Sequence, residues 1–476
     1  MGSQEESSFQ VRNIAIVGAG PAGLAAAKYL VAQQTFDTID IFEQQFEVGG
    51  VWHYSHEPSK TLHVPQVSPF TPPDPPLLST KQPPVFPSPM YEMLHTNIPR
   101  RLMRFSDLAF PDDSLIFPSR ETVQDYLAMY SSDVRHLIKF SSQVLDIRHR
   151  QLDGRDQWDV DVLALVTQQV NTLTYDAVVV ASGHYSVTYM PSVKNIVKFH
   201  QAHPGVITHA KLYRTPAVFE DKKVVVVGNA ASGLDIAAQI SSVCRKPLLL
   251  SVRTATPPAN LDFVGAEEVP VIEEFLVDEK GVKFQDGTVQ KDIDAVVFAT
   301  GYLFTLPFLS SLKPPLVADG RRVHGLYQEL FLIDHPTLVF PGLPVKVVPF
   351  SVCESQAAII SRTWANLLPL PSVEEMRKWE KEEAQKRGYS FHVWPKGGDK
   401  DFVNSTYDRL SRSRTQGKEP PYWDDELVWE RQVSFDAKLK FEIGGRTARS
   451  LEELGFVYRP SQDPEPLEKT SAQDII

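Results

Sequence analysis

The sequence predicts an α/β fold with two parallel sheets, because one unit of strand, glycine-rich turn and helix occurs twice along its 476 residues. The first copy spans 14–30 and contains the spacing G-x-G-x-x-G, and the second spans 223–238 and contains G-x-A-x-x-G. In such a unit the turn holds the pyrophosphate of a dinucleotide at the start of the helix. We therefore predict two Rossmann-like dinucleotide-binding domains.

The first copy has the residues that a pyrophosphate-binding turn needs. Gly18 allows the tight turn, Gly20 lets the backbone approach the ligand, and Gly23 lets the helix pack closely on the strand. A second hydrophobic strand ends at Glu43, about 20 residues after Gly23, where a carboxylate can accept hydrogen bonds from both ribose hydroxyls. The loop 49–52 follows, and its paired glycines would let the backbone lie against a flat ligand.

The second copy differs at the residues that would contact the ribose. Ala230 replaces the middle glycine, and the next strand, 248–253, carries Ser251 and Arg253 where a carboxylate would select an unphosphorylated ribose. A hydroxyl and a guanidinium suit a 2′-phosphate, so this copy favours NADPH over NADH. A chain with two dinucleotides pairs a reductant with a redox carrier, which is normally a flavin. We therefore expect FAD in the first domain and NADPH in the second.

The FAD-binding domain is expected to be discontinuous in sequence and to be completed by the C-terminal segment. The stretch 350–364 has apolar residues at helical spacing and is expected to pack back on the first domain. A helix is predicted over 120–130, with strands over 144–148 and 158–166, whereas 58–89, rich in Pro, Ser and Thr, predicts a long surface excursion. The predicted divisions are the FAD-binding domain 10–195, the NADPH-binding domain 196–320, the completion of the FAD domain with peripheral helices 321–461, and disordered tails 1–9 and 462–476.

Composition and charge exclude several classes of protein. A formal net charge of −11 argues against nucleic acid or an anionic membrane as the main partner. No apolar run approaches the ~20 residues of a transmembrane helix, and the polar N-terminus does not resemble a signal peptide. The two cysteines, Cys244 and Cys353, form no C-x-x-C pair, which fits a reducing compartment. We predict a cytoplasmic protein.

Between the two copies lies His203-Pro-Gly-Val-Ile-Thr-His-Ala-Lys-Leu-Tyr213, where the chain resembles the flavin-containing monooxygenases. Their linker signature is F-x-G-x-x-x-H-x-x-x-Y; Gly205, His209 and Tyr213 match it, and His203 stands at the leading aromatic position. Related Baeyer–Villiger enzymes carry Trp at the position of Tyr213, so the resemblance favours oxygenation of a heteroatom. It extends over nearly the whole chain, at Gly49-Gly-Val-Trp52, Thr96-Asn97, Ser232-Gly233, Ala299-Thr-Gly301 and Glu354-Ser-Gln356.

The resemblance implies a monooxygenase that uses FAD, NADPH and O₂. In that family NADPH reduces FAD, which captures O₂ as a C4a-hydroperoxyflavin, and a soft nucleophile (sulfur or amine nitrogen) takes the distal oxygen. Asn97 matches the family's flavin-side asparagine, whose neutral amide can both donate and accept hydrogen bonds beside a peroxide. The chain looks more like the short soluble fungal and bacterial members, which oxidise thiols, sulfides or amines, and we favour sulfur.

Three other functions stay open on sequence grounds. Ketone oxygenation of the Baeyer–Villiger type shares the architecture, as does an NADPH oxidase or a disulfide reductase, although a reductase needs a dithiol near the flavin. A non-catalytic flavoprotein that senses the NADP redox state is the third. A metal site is not expected, because no cysteine or carboxylate completes the group His200, His203 and His209.

The candidate catalytic residue is Asn97. The expected partners are O₂ and a small nucleophilic molecule, with homodimer formation left open. The candidate cofactor-binding residues are Gly18, Ala19, Gly20, Pro21, Ala22, Gly23, Glu43, Gln44, Gly50, Val51, Trp52, Thr96, Asn97, Val144, Gly228, Ser232, Gly233, Leu234, Asp235, Ser251, Arg253, Thr300, Gly301 and Gln356.

Overall fold

The computed structural model describes residues 8–79, 83–413 and 416–460. Within these ranges the helices are α1 (Pro21–Gln33), α2 (Arg100–Met103), α3 (Arg120–Tyr130), α4 (Ile196–Ala202), α5 (Ala231–Ser241), α6 (Pro258–Val264), α7 (Pro349–Trp364), α8 (Val373–Arg387), α9 (Gly398–Ser413) and α10 (Asp425–Ile443). The strands are β1 (Asn13–Val17), β2 (Thr38–Phe42), β3 (Ile138–Lys139), β4 (Ser142–Leu152), β5 (Arg155–Ala164), β6 (Gln169–Tyr175), β7 (Ala177–Val180), β8 (Val187–Thr188), β9 (Ile207–His209), β10 (Val224–Val227), β11 (Leu248–Ser251), β12 (Ala266–Val269), β13 (Ile272–Leu276), β14 (Gly281–Phe284), β15 (Val289–Gln290), β16 (Ala295–Phe298), β17 (Tyr302–Leu303), β18 (Leu326–Tyr327), β19 (Phe331–Leu332) and β20 (Leu338–Val339).

The first sheet has seven strands in the order β18-β19-β20-β7-β1-β2-β3. Strands β20, β7, β1, β2 and β3 run parallel, and β18 and β19 pair antiparallel at one edge. Their runs of Val and Ile are buried on both faces, as a covered parallel sheet requires. Because β18 to β20 come from 326–339, the first domain is discontinuous and is completed by the C-terminal part of the chain. The predicted fold class is confirmed.

The second sheet is built from the middle of the chain. Its five strands follow the order β12-β11-β10-β16-β9, and all four neighbouring pairs are parallel. Helix α5 starts directly after the turn that follows β10, as α1 follows β1 in the first domain. In the described part of the chain, three small antiparallel sheets, β4-β5-β6, β13-β14-β15 and β8-β17, accompany these two.

Helix α7 joins the C-terminal segment to the start of the chain. All of its residues from Phe350 to Trp364 are buried, and several of them share a core cluster with α1. The alanines of α1 at 25–27 are fully buried, and their small side chains let two helices approach closely. The prediction that 350–364 returns to the first domain as a helix agrees with this packing.

The chain returns from the second domain to the first before residue 320, the predicted boundary. Leu309, Leu316 and Val317 pack in the first-domain cluster that contains Val17 and Phe42. Leucine and valine in an aperiodic stretch carry no information about which of two neighbouring cores they will join. The stretch 304–317 therefore belongs with the first domain.

The predicted tails fall outside the described residues, except for Ser8 and Phe9. Phe9 is tied down: its backbone N–H donates to Asn366 Oδ1 at 2.7 Å, and Asn366 Nδ2 donates to its carbonyl at 2.8 Å.

The Pro-rich segment 58–89, described except at 80–82, packs against the rest of the chain, with Gln66, Phe86 and Ser88 buried. Gln66 exchanges two backbone hydrogen bonds with Met190, and Thr305 donates to the Pro69 carbonyl at 2.8 Å. The buried Lys211 pairs with Asp74 at 2.7 Å. The excursion is thus fastened to the linker between the two domains.

Candidate active site

In the turn after β1, Gly18 and Gly23 have no room for a side chain. Gly18 has φ of +103°, and a Cβ there would lie 2.6 Å from the Ala181 carbonyl oxygen. A Cβ on Gly23 would lie 1.9 Å from the Gly18 carbonyl oxygen, and one on Gly20 would lie 3.4 Å from the Gly50 Cα. The bare backbone of the turn therefore packs against its own helix, the end of β7 and the 49–52 loop. This is the cradle that a dinucleotide pyrophosphate needs.

Glu43 is fixed beside that turn. Its carboxylate accepts hydrogen bonds from the backbone N–H of Ala19 at 2.7 Å and of Gln45 at 2.8 Å. Burial raises the pKa of the Glu43 carboxyl, and the two backbone donors oppose that shift. Each carboxylate oxygen keeps a further lone pair for a ribose hydroxyl. Gln44, between these residues, is exposed.

Gln356 reaches the same place from helix α7. Its Oε1 accepts from the backbone N–H of Gly342 at 2.9 Å, and its buried Nε2 has no hydrogen-bond partner among the described residues. A Cβ on Gly342 would meet the Ala22 side chain at 3.2 Å, so this turn lies directly on α1. A buried amide without an acceptor is costly, and a bound ligand would satisfy it. The orphaned donor and the glycine cradle fit FAD.

Two residues that sequence reasoning missed hold the 49–52 loop. Gln124 Nε2 on α3 donates to the Val48 carbonyl at 2.8 Å, and the Ser88 hydroxyl donates to the Val51 carbonyl. Gly49 has φ of +118°, and a Cβ there would collide with the Gln124 amide. Nothing in the local sequence distinguishes Gln124 from any other glutamine in a predicted helix, because its partner is 76 residues away.

Asn97 lies on a rigid turn with its side chain exposed. The Thr96 backbone N–H donates to the Pro118 carbonyl at 2.9 Å, and the Thr96 hydroxyl donates to the Ile98 carbonyl at 2.9 Å. Thr96 is itself buried and shapes the turn instead of offering its hydroxyl to a ligand. The Asn97 amide makes no hydrogen bond to the described residues, so both its donor and its acceptor are available.

The second glycine turn repeats the first. Gly228 has φ of +105°, and a Cβ there would lie 2.7 Å from the Ala299 carbonyl oxygen. A Cβ on Gly233 would lie 2.1 Å from the Gly228 carbonyl oxygen. Ser232 is exposed in the first turn of α5, where backbone N–H groups and the helix dipole favour a phosphate. The arrangement fits a second dinucleotide.

Several residues that were predicted to bind the cofactor of the second domain instead contact other residues of the chain. Asp235 accepts from the Tyr91 hydroxyl and from Arg446 Nη2 at 3.0 Å, so it joins α5 to the segment after α10. The Thr300 hydroxyl donates to the Tyr189 carbonyl. Asp235 and Thr300 therefore hold the second domain against its neighbours. Leu234 packs against the core of the second domain. Gly301 is exposed and has φ of +85°. In the first domain, Val144 packs with the cluster beneath the first sheet.

The structure differs from the prediction that Ser251 contacts a 2′-phosphate. It is buried, and its hydroxyl donates to the Pro270 carbonyl at 2.8 Å, so its one donor is not available to a 2′-phosphate. The sequence alone does not show on which face of β11 the Ser251 side chain lies. Arg253, two residues further on, is exposed. Asn229 Nδ2 donates to the Thr254 carbonyl at 2.9 Å and thereby links the glycine turn to the loop after Arg253.

We expect Arg253→Ala to weaken the use of NADPH and to leave the use of NADH nearly unchanged. A lost charge-assisted contact to a 2′-phosphate costs about 1.5–3 kcal/mol, or about ten- to hundred-fold in kcat/KM. The measurement is kcat/KM for both cofactors in wild type and variant. Equal losses with both would show that Arg253 does not contact the phosphate.

Among the described residues, no group of three potential ligands contains His200, His203 or His209. His209 is fully buried, and its Nδ1 accepts from the Lys211 backbone N–H at 3.1 Å. Burial and the nearby Lys211 charge lower the pKa of His209 to about 3, so its imidazole stays neutral. His209 fastens the domain linker.

Comparison with known protein families decides the class of the chain. The model of the flavin-binding monooxygenase-like family matches residues 87–257 and 266–410, and that of an NAD(P)-binding Rossmann-like domain matches 16–74. The chain belongs to the flavin-binding monooxygenase-like family. The predicted FAD- and NADPH-dependent monooxygenase is thereby confirmed, as are its two cofactors.

Relatives in this family cover most of the chain. A thiol-specific monooxygenase of Saccharomyces cerevisiae is 28% identical over 90% of this chain and 92% of its own length. The flavin-containing monooxygenase FMO GS-OX-like 2 of Arabidopsis thaliana is 30% identical over 77% of this chain and 76% of its own. The structure of S-allyl-L-cysteine S-oxygenase from Allium sativum has a TM-score of 0.69 at 28% identity, over 90% of this chain and 99% of that one.

Among the helices that the structure describes, none has the length and apolar character of a membrane span.

Proposed function

We propose that this monooxygenase transfers one oxygen atom from O₂ to the sulfur of a small thiol or thioether. NADPH supplies the two electrons, and the second oxygen atom leaves as water. The observation that carries the proposal is the Asn97 amide, a neutral group with free donor and acceptor on a rigid turn. Oxygen transfer to a sulfur lone pair needs orientation and exclusion of water, and it needs no base to remove a proton from substrate carbon.

Different residues of the chain have different roles toward the two cofactors. Bound FAD, once reduced by NADPH, supplies the activation of O₂. The Gly18 turn and Glu43 would hold the dinucleotide end of this cofactor, and the Gln356 amide would donate to it from α7. Asn97 would offer its neutral amide where the two cofactors meet, and so would help to orient them without adding charge there.

The choice of sulfur over nitrogen rests on the relatives. The yeast protein is named for thiols and the Allium protein for the sulfur of S-allyl-L-cysteine, and each matches 90% of this chain. Sulfur is also the softer nucleophile of the two. A Baeyer–Villiger reaction on a ketone is the less favoured alternative, since Tyr213 stands where those enzymes carry Trp.

We also propose that the enzyme acts in the cytoplasm. Cys244 and Cys353 are both unpaired and buried, which suits a reducing compartment. The formation of a homodimer stays a prediction.

The test is the ratio of oxygenated product to NADPH consumed, measured with a thiol, a thioether, a tertiary amine and a cyclic ketone at equal concentrations. We expect a ratio near one for the sulfur compounds and a higher kcat/KM for them than for the amine. A higher kcat/KM for the amine would assign the enzyme to nitrogen, and turnover of the ketone alone would assign it to the Baeyer–Villiger class.

A further inference from the structure

Three potential metal ligands converge where the β4–β6 sheet meets the edge of the first sheet. His149 lies on β4, Asp156 on β5 and His335 on the turn before β20. His149 Nε2 is 2.7 Å and His335 Nδ1 is 3.1 Å from the same oxygen, Asp156 Oδ1. All three ligand atoms lie within 4.8 Å of one another.

These separations are close to those that a metal ion imposes. Two ligands bonded at ~2.1 Å, at the ~90–110° angles of octahedral or tetrahedral coordination, stand ~3.0–3.4 Å apart. The Asp156–His335 separation of 3.1 Å falls within that range, and the Asp156–His149 separation of 2.7 Å needs to open by a few tenths of an ångström. The side chains are 13–26% exposed, so an ion can enter and water can complete its coordination.

A second layer of hydrogen bonds fixes the central carboxylate. The Thr337 hydroxyl donates to Asp156 Oδ2 at 2.9 Å and accepts from Trp158 Nε1 at 3.0 Å. Trp158 is fully buried. Outer partners of this kind orient ligands in metal sites and account for ten- to hundred-fold in affinity. The second oxygen of Asp156 is thereby held, and Oδ1 is left facing the two imidazoles.

We propose that His149, Asp156 and His335 bind one divalent transition-metal ion, with Zn²⁺ as the ion that this pair of imidazoles and one carboxylate suits best. The ion would cross-link the β4–β5 hairpin to the returning C-terminal segment. The site is separate from the flavin. Leu338 pairs with Val178 in the parallel sheet, and His335 precedes it, at the end of the sheet opposite the Gly18 turn.

The test is calorimetric titration of Zn²⁺ into the FAD-loaded enzyme, freed of any affinity tag and previously treated with a chelator. We expect one equivalent to bind to the wild type and to raise its Tm. His335→Gln and His149→Gln should each bind Zn²⁺ at least ten-fold more weakly, and Thr337→Val about ten-fold more weakly. The flavin absorbance of each variant reports whether it folds.

A matched control is His136→Gln, which removes an exposed histidine elsewhere on the first domain and should bind Zn²⁺ as the wild type does. Absence of one-to-one binding in the wild type would overturn the proposal. So would binding that persists unchanged in both His335→Gln and His149→Gln, because the ion would then lie elsewhere. If one histidine variant fails to load FAD, the other decides.

Discussion

Gly23→Val is expected to yield protein without yellow colour. A Cβ at this position would lie 1.9 Å from the Gly18 carbonyl oxygen, and valine adds two methyl groups to it. The contact is with backbone, so it is relieved only if α1 moves away from β1, which destroys the turn that holds the FAD pyrophosphate. Flavin absorbance relative to protein absorbance in the purified variant is the measurement, and we expect a loss of ten-fold or more.

The control for this variant is the same change in the second copy. A Cβ on Gly233 would lie 2.1 Å from the Gly228 carbonyl oxygen, so Gly233→Val creates the same collision in the other domain. It should keep FAD and lose the ability to be reduced by NADPH. Full flavin occupancy in Gly23→Val, or loss of flavin in Gly233→Val alone, would reverse the assignment of the two domains.

Asn97→Ala is expected to separate NADPH consumption from oxygenation. The variant should keep its FAD, because the Gly18 turn and Glu43 hold the far end of that cofactor. Product formation should fall by ~10²-fold, the typical cost of removing one oriented donor from an active site, while NADPH oxidation continues and ends in H₂O₂. Asn97→Asp should be worse, since a carboxylate lacks the N–H donor and adds negative charge.

The measurement is the ratio of H₂O₂ to NADPH consumed in the presence of a thioether. Asn171→Ala, on the exposed face of β6, is the matched control and should stay as tightly coupled as the wild type. Tight coupling in Asn97→Ala as well would leave Asn97 a turn residue and remove the catalytic assignment.

Local sequence predicted the parts of the fold that local chemistry determines. The helix expected over 120–130 is α3, and both glycine turns have the steric reason that their spacing indicates. These features depend on neighbours within a few residues, where apolar periodicity and a glycine's missing Cβ act directly.

The partners of polar side chains could not be predicted in the same way. Asp235 pairs with Arg446, and Asp156 with His335, across 211 and 179 residues of sequence. A single sequence shows which side chains are able to form hydrogen bonds or ion pairs. It does not show which of them the fold brings together. Ser251 shows the same gap, since its inward orientation follows from the packing of β11 and not from its position as the last residue of that strand.

The proposed reaction places one atom of O₂ on sulfur. The direct measurement is single-turnover oxidation of a thioether by the NADPH-reduced enzyme under ¹⁸O₂, with the product analysed by mass spectrometry. We predict a sulfoxide that carries one ¹⁸O atom, formed in an amount close to that of the NADPH oxidised. Sulfoxide with oxygen from water, or NADPH oxidation that yields H₂O₂ and no labelled product, would contradict the account.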